Sequence, residues 1–107
     1  MALKREFRQT VGERVRREPE FAKFLLDEAA TLFLNGETDT ARLLLRDLVN
    51  ATVGFEALAA ATKKPAKSLH RMLSKSGNPT MDNLAAILNV LRKKLRVEIQ
   101  AHAVKAA

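Results

Sequence analysis

The chain contains no cysteine, no tryptophan and no tyrosine. Without cysteine there is no disulfide framework, no thiolate-held zinc or iron–sulfur centre and no thiol nucleophile. Such a chain suits a reducing compartment, and a cytoplasmic location is expected. Five phenylalanines are the whole aromatic complement, so a platform for stacking unpaired RNA bases is poorly supplied. No apolar run approaches the roughly 20 residues that span a bilayer. The basic start, Met1 to Arg8, leads into no apolar stretch, so neither a membrane partner nor a signal peptide is expected. The two histidines, His70 and His102, are far apart, which argues against a zinc site. The carboxylate pairs Glu18/Glu20 and Asp27/Glu28 have no His or Ser in pattern with them and read as solvated faces. No Gly-rich phosphate loop or nucleophile elbow is present. No enzyme activity, metal or cofactor is therefore expected.

What the chain does have is positive charge, unevenly placed. The formal net charge is +7 over 107 residues. Residues 1–54 carry nine Lys/Arg and nine Asp/Glu, whereas residues 55–107 carry ten Lys/Arg against Glu56, Asp82 and Glu98. The whole excess lies in the second half. That asymmetry points to a polyanionic partner for this half, the plain alternative being charge that serves solubility.

The apolar pattern is helical almost throughout, with Gly12 inside a periodic segment and the other glycines and the prolines between segments. In residues 3–17, Leu3, Phe7, Val11 and Val15 recur every fourth position, giving a helix or an arm that orders on contact. Pro19 suits the first turn of the next helix. Phe21, Phe24, Leu25, Leu32 and Phe33 keep helical spacing up to Asn35-Gly36, and the three Phe are expected in the core or a partner groove. A third helix starts near Thr38 or Asp39 and closes at Thr52-Val53-Gly54. Ala41, Leu44, Leu45, Leu48 and Val49 form its apolar stripe, with Arg42 and Arg46 on another face. Short segments 55–62, 65–74 and 81–94 follow, the last with Thr80 as N-cap and Asn83 at its third position. Leu95 to Gln100 alternates apolar and polar residues. That pattern fits a short strand, an edge for dimer pairing; continued helix is almost as good a fit. The expected fold is thus all-α, a bundle of five to six helices with a possible short C-terminal strand.

The densest chemistry lies in residues 54–74, GFEALAAATKKPAKSLHRMLS. The spacing predicts two short helices joined by a tight turn. Small Ala59, on the face of Phe55 and Leu58, lets a second helix cross closely. Leu69 and Met72, with Leu73 beside them, make the buried edge of that second helix. Ala66, Lys67, Ser68, His70, Arg71 and Ser74 are left outward or flanking. They form a small, polar, positive ridge of the kind that enters a major groove.

The run from Leu58 to Leu69 (LAAATKKPAKSL) resembles the helix-turn-helix of lambda-repressor-like, XRE-type regulators. The continuation from Leu73 to Leu84 (LSKSGNPTMDNL) closely resembles the addiction-module antidotes, the HigA-like antitoxins, in which a GNPT segment follows the recognition helix. The likeness covers residues 37–97. It implies an N-terminal helical extension (1–36), a DNA-binding domain (37–97) and a C-terminal tail (98–107). It also implies base readout by Ala66, Lys67, Ser68, Arg71 and His70, and backbone contact by Lys75, Ser76 and Asn78. One departure is Lys63, which stands where the family often has glycine in the turn. A left-handed conformation there costs a non-glycine residue about 1–2 kcal/mol.

Chemically, Lys63, Lys64 and Lys75 are point charges suited to phosphates. Arg71 suits bidentate guanine recognition, Ser68 a base or a phosphate, and the Ala66 methyl a thymine methyl. The cluster Arg92-Lys93-Lys94 with Arg96 is explained first as cations at a helix C-terminus, with DNA contact as the alternative. The function these features predict is a sequence-specific regulator, a repressor or autoregulator, that binds a double-stranded operator as a homodimer. The alternative is an antitoxin that neutralises a small protein toxin through its N-terminal helices and autoregulates its operon.

Overall fold

The computed structural model describes residues 11–107 of the chain. The first half of the helix expected over 3–17 lies outside the described residues; residues 11–17 are helical and are termed α1. There follow α2 (Pro19–Leu34), α3 (Thr38–Ala51), α4 (Phe55–Thr62), α5 (Ala66–Met72) and α6 (Met81–Leu95). The described residues are all-helical, six helices without a strand, and no described helix is long and apolar enough to cross a membrane.

Local chemistry explains where the helices begin and end. Pro19 opens α2 from its first turn, where its missing N–H costs nothing. Gly36 closes it at φ +85°, and the Glu37 N–H reaches back to the Leu32 carbonyl at 2.9 Å. This is the six-residue closure that a left-handed residue permits. The same closure recurs at Lys63, where Lys64 donates to Ala59, and at Arg96, where Val97 donates to Arg92. Thr80 caps α6, its hydroxyl oxygen accepting from the Asn83 backbone N–H at 3.1 Å.

One core draws on all six helices. Val11 and Val15, Leu25 and Leu26, Leu45 and Leu48, Leu58, Leu69 and Leu73, and Ile87 and Leu91 belong to a single buried cluster. Helices α2 and α3 form the most extensive pairing, while α4 packs on both α5 and α6. The short α5 contributes little area of its own and is held through Leu69 and Leu73, both without solvent exposure.

Of the two placements expected for the α2 phenylalanines, the core takes Phe21 and Phe33, whereas Phe24 is 57% exposed; its ring stacks on Phe21 at 6.3 Å, and Arg14 covers Phe21 at 4.1 Å. One expectation needs correction. The alternating segment Leu95–Gln100 is neither strand nor continued helix. The helix stops at Leu95 because Arg96 turns left-handed at φ 58°. Residues 97–100 then run on with Val97 and Ile99 packed against the core and Glu98 and Gln100 exposed. The period-two alternation is real, but no second strand lies beside it among the described residues, so no ladder forms.

Candidate nucleic-acid interface

The interface candidate begins with the chain reversal between α4 and α5. Thr62 ends α4 with its hydroxyl donating to the Leu58 carbonyl at 2.8 Å. Lys63 follows at φ 58°, ψ 38°, a left-handed residue without a glycine. Pro65, with extended backbone (φ −60°, ψ 139°), then occupies the N-cap of α5. Its ring disfavours a helical Lys64, so the chain cannot run straight from one helix into the next. Three residues therefore suffice to redirect it.

Leu69 in α5 and Leu73, at its C-cap, are fully buried, and Met72 between them packs against the core while only partly buried. The helix is shorter than the 65–74 span expected, ending at Met72 with Ser74 beyond it. The side chains of Lys67, His70 and Arg71 are exposed, while Ala66 and Ser68 flank the buried edge. Lys63, Lys75, Ser76 and Asn78 are exposed and Lys64 is half-buried. Between Ala57 and Met81 the sequence has five cations (Lys63, Lys64, Lys67, Arg71 and Lys75) and no acid. None of the five enters an ion pair among the described residues. All ten predicted residues lie in one continuous stretch of chain, from the α4–α5 turn through α5 to the following loop.

His70 differs from its neighbours. Its ring stacks on Phe55 with centroids 3.8 Å apart and an interplanar angle of 19°. The imidazole therefore has one face committed to the start of α4, while the residue remains exposed.

The segment after α5 is anchored by a residue that sequence inspection placed on the wrong face. Arg42 of α3 is only 7% exposed. Its Nε donates to the Ser74 carbonyl at 3.0 Å, and its Nη2 donates to the Lys75 carbonyl and to Asp39 Oδ1, each at 2.7 Å. Hydrogen bonds from a charged donor are the strong ones, and these tie α3 to the loop that carries Lys75, Ser76 and Asn78. The available signal was Asp39 three residues before Arg42, which reads equally well as an exposed pair. Ser74 closes α5 by donating its hydroxyl to the Arg71 carbonyl at 2.7 Å. Gly77 completes the anchor. A Cβ there would lie within 2.5 Å of the Arg71 carbonyl oxygen and closer still to that of Met72. The loop therefore folds back onto the end of α5 only because position 77 has no side chain.

The residues of this stretch supply hydrogen-bond donors and positive charge. The group Arg92, Lys93, Lys94 and Arg96 lies at the C-terminus of α6, where cations favour the helix dipole. Comparison with family models, with curated proteins and with solved structures finds no match for this chain.

Proposed function

We propose that the chain is a sequence-specific double-stranded DNA-binding regulator, in which α4, the Lys63–Pro65 turn and α5 act as a helix-turn-helix and α5 enters the major groove. The observation that carries this is the division of α5 and its C-cap: Leu69 and Leu73 are fully buried, while Lys67 and Arg71 of the same seven-residue helix stand exposed. A short helix held by two leucines and presenting small and cationic side chains has the dimensions and charge that the groove accepts. The resemblance of Leu58–Leu69 and of the GNPT segment to XRE-type regulators and HigA-like antitoxins supports the same function. Lys63, Lys64 and Lys75 neutralise phosphates and set the position of the helix, and Arg71 reads guanine.

One such module covers few base pairs, so two copies related by a two-fold axis occupy half-sites about 34 Å apart. Repression follows from occlusion of the promoter. Selection of bound duplexes from a random pool tests this directly. A two-fold-symmetric site with that spacing is the expected outcome; recovery of no preferred sequence would refute specific regulation.

A second activity is favoured by α2, where Phe24 is 57% and Leu34 65% exposed. Phe24, stacked on Phe21, offers an exposed aromatic surface on α2, and the antitoxin likeness names a small toxin as its partner. Co-purification with the product of the adjacent gene, lost in Phe24→Asp, is the expected result. An unchanged yield from the variant would remove α2 from toxin binding.

A further inference from the structure

We infer that the cavity between the end of α2, the start of α3 and the start of α6 binds a small carboxylate with an apolar body. The space measures about 330 Å³, at the small end of the range for ligand pockets. It is lined by Phe33 and Leu34 of α2 and by Met81, Leu84 and Leu88 of α6. Of residues 97–107 only Ile99 reaches it. Two of the four large apolar side chains left exposed among the described residues, Leu34 at 65% and Met81 at 70%, stand at this one concave site. Apolar exposure gathered around a hollow is what an apolar ligand relieves.

The polar part of the lining decides the class of ligand. Thr38, Arg42 and Asn78 alone interrupt the apolar walls; Arg42 is the one charge, and no acid is among them. Arg42 is 7% exposed, and its three hydrogen bonds leave from Nε and Nη2. Nη1 takes part in none of them. No fully buried side-chain nitrogen or oxygen lacks a partner among the described residues, so Nη1 keeps contact with open space, which the cavity beside Arg42 provides. Nη2 holds Asp39, whose carboxylate stays mostly in solvent. Nη1 is thus a donor still to be used, and a carboxylate makes the strongest bond to it. The helix ends act in the same direction. Both α3 and α6 begin at this lining, with Thr38 and Met81 as first residues, against the single opposite end of α2 at Leu34. The start of α3 has no side-chain cap, so its first N–H groups are left to solvent or a ligand. Helix starts favour an anion.

Other ligand classes fit less well. A neutral apolar molecule leaves Nη1 and the α3 amides unused, and a cation meets the guanidinium. A phosphate monoester brings nearly two charges to a single cation that Asp39 already balances. A short-chain carboxylate uses the apolar lining and the donors together. Its position also matters. Arg42 holds the Ser74 and Lys75 carbonyls, and Asn78 and Pro79 border the cavity. An occupant therefore touches both the anchor and the far end of the loop that follows α5. The ligand site stands whether or not that loop meets DNA, and it is measured without DNA.

Octanoate is the probe, read through the methionine methyl signals of the full chain by nuclear magnetic resonance. Met81 lines the cavity, whereas Met72 packs against the core and lies outside the lining. Titration should shift the Met81 signal saturably and leave Met72 in place. Octanol, the same body without the charge, should bind about tenfold more weakly or worse, as expected when a hydrogen bond to a charged group is lost. Substitution at the exposed Leu34 tests the site without disturbing the Arg42 anchor. Leu34→Gln and Leu34→Glu should both keep the helical content of the chain. Leu34→Glu, which sets a like charge at the lining, should bind octanoate about tenfold more weakly than Leu34→Gln. A shift that never saturates, equal movement of Met72, equal affinity for octanol and octanoate, or two Leu34 variants that bind alike would each overturn the inference. So would a Met81 signal that moves with protein concentration in the absence of octanoate, since another copy would then be covering the cavity.

Discussion

At the scale of single residues, two cations of the ridge carry different kinds of information. Arg71 has a planar fork that fits guanine, so Arg71→Ala should weaken specific binding by about 1–3 kcal/mol and relax preference at one base pair. Lys75 is a point charge on the loop after α5. Lys75→Ala should lower affinity for every sequence alike and reduce the salt slope by about one. Gel-shift titration of both variants on specific and scrambled duplexes separates the two; unchanged specific affinity in both would dislodge the ridge assignment. Lys63 has a divided role. It sits left-handed at φ 58°, where glycine would be unstrained, and its charge faces solvent. Lys63→Gly should therefore raise the melting temperature by about 2–8 °C, relieving roughly 0.5–1 kcal/mol. The same change should weaken DNA binding. Opposite signs on stability and affinity, read by calorimetry and titration, are the expected signature.

At the scale of elements, the position of α5 and its loop depends on α3. Arg42 satisfies the Ser74 and Lys75 carbonyls from a nearly buried site. Arg42→Met keeps the apolar stem and removes the donors, leaving those carbonyls and Asp39 without their partner. The expected loss is about 3 kcal/mol, or roughly 12–24 °C in melting temperature for a domain of this size. Thermal denaturation checks it, and a shift of a few degrees would show that the loop holds itself. Element boundaries were largely readable beforehand. Residues 55–62 and the Thr80 cap emerged from Gly54, Pro65 and the Thr80/Asn83 pair because punctuation of this kind acts within four residues. The end of α5 was read two residues long, because Leu73 is apolar and buried yet lies just past the last helical turn. The buried edge of α5 was readable as Leu69, Met72 and Leu73; what was not readable is that Leu69 and Leu73 are fully buried and Met72 only partly. Helical spacing admits both three- and four-residue steps, and only the packed partner chooses between them.

At the scale of the whole molecule, charge is segregated rather than merely abundant. Five cations and no acid occupy residues 57–81, and four of the five, Lys63, Lys67, Arg71 and Lys75, are exposed. If each meets a phosphate, the logarithm of affinity should fall with the logarithm of salt at a slope of about −4 to −5 per bound copy. That is a loss of roughly 500-fold between 50 and 200 mM salt. Filter-binding or fluorescence titration across that range measures it; a slope near −1 would mean that most of these cations never reach the duplex.

The amino-acid sequence alone determined the helical class, the approximate helix limits, the caps and the concentration of charge beside a short helix, since each depends on residues a few positions apart. Tertiary structure decided the rest. Arg42 became a buried anchor through partners 32 and 33 residues away. Gly77 became obligatory because the chain returns to the end of α5. Residues 97–100 form no ladder because, among the described residues, no other strand lies beside them. Such outcomes turn on which surfaces meet after folding, and the spacing of side chains along one segment carries no record of that.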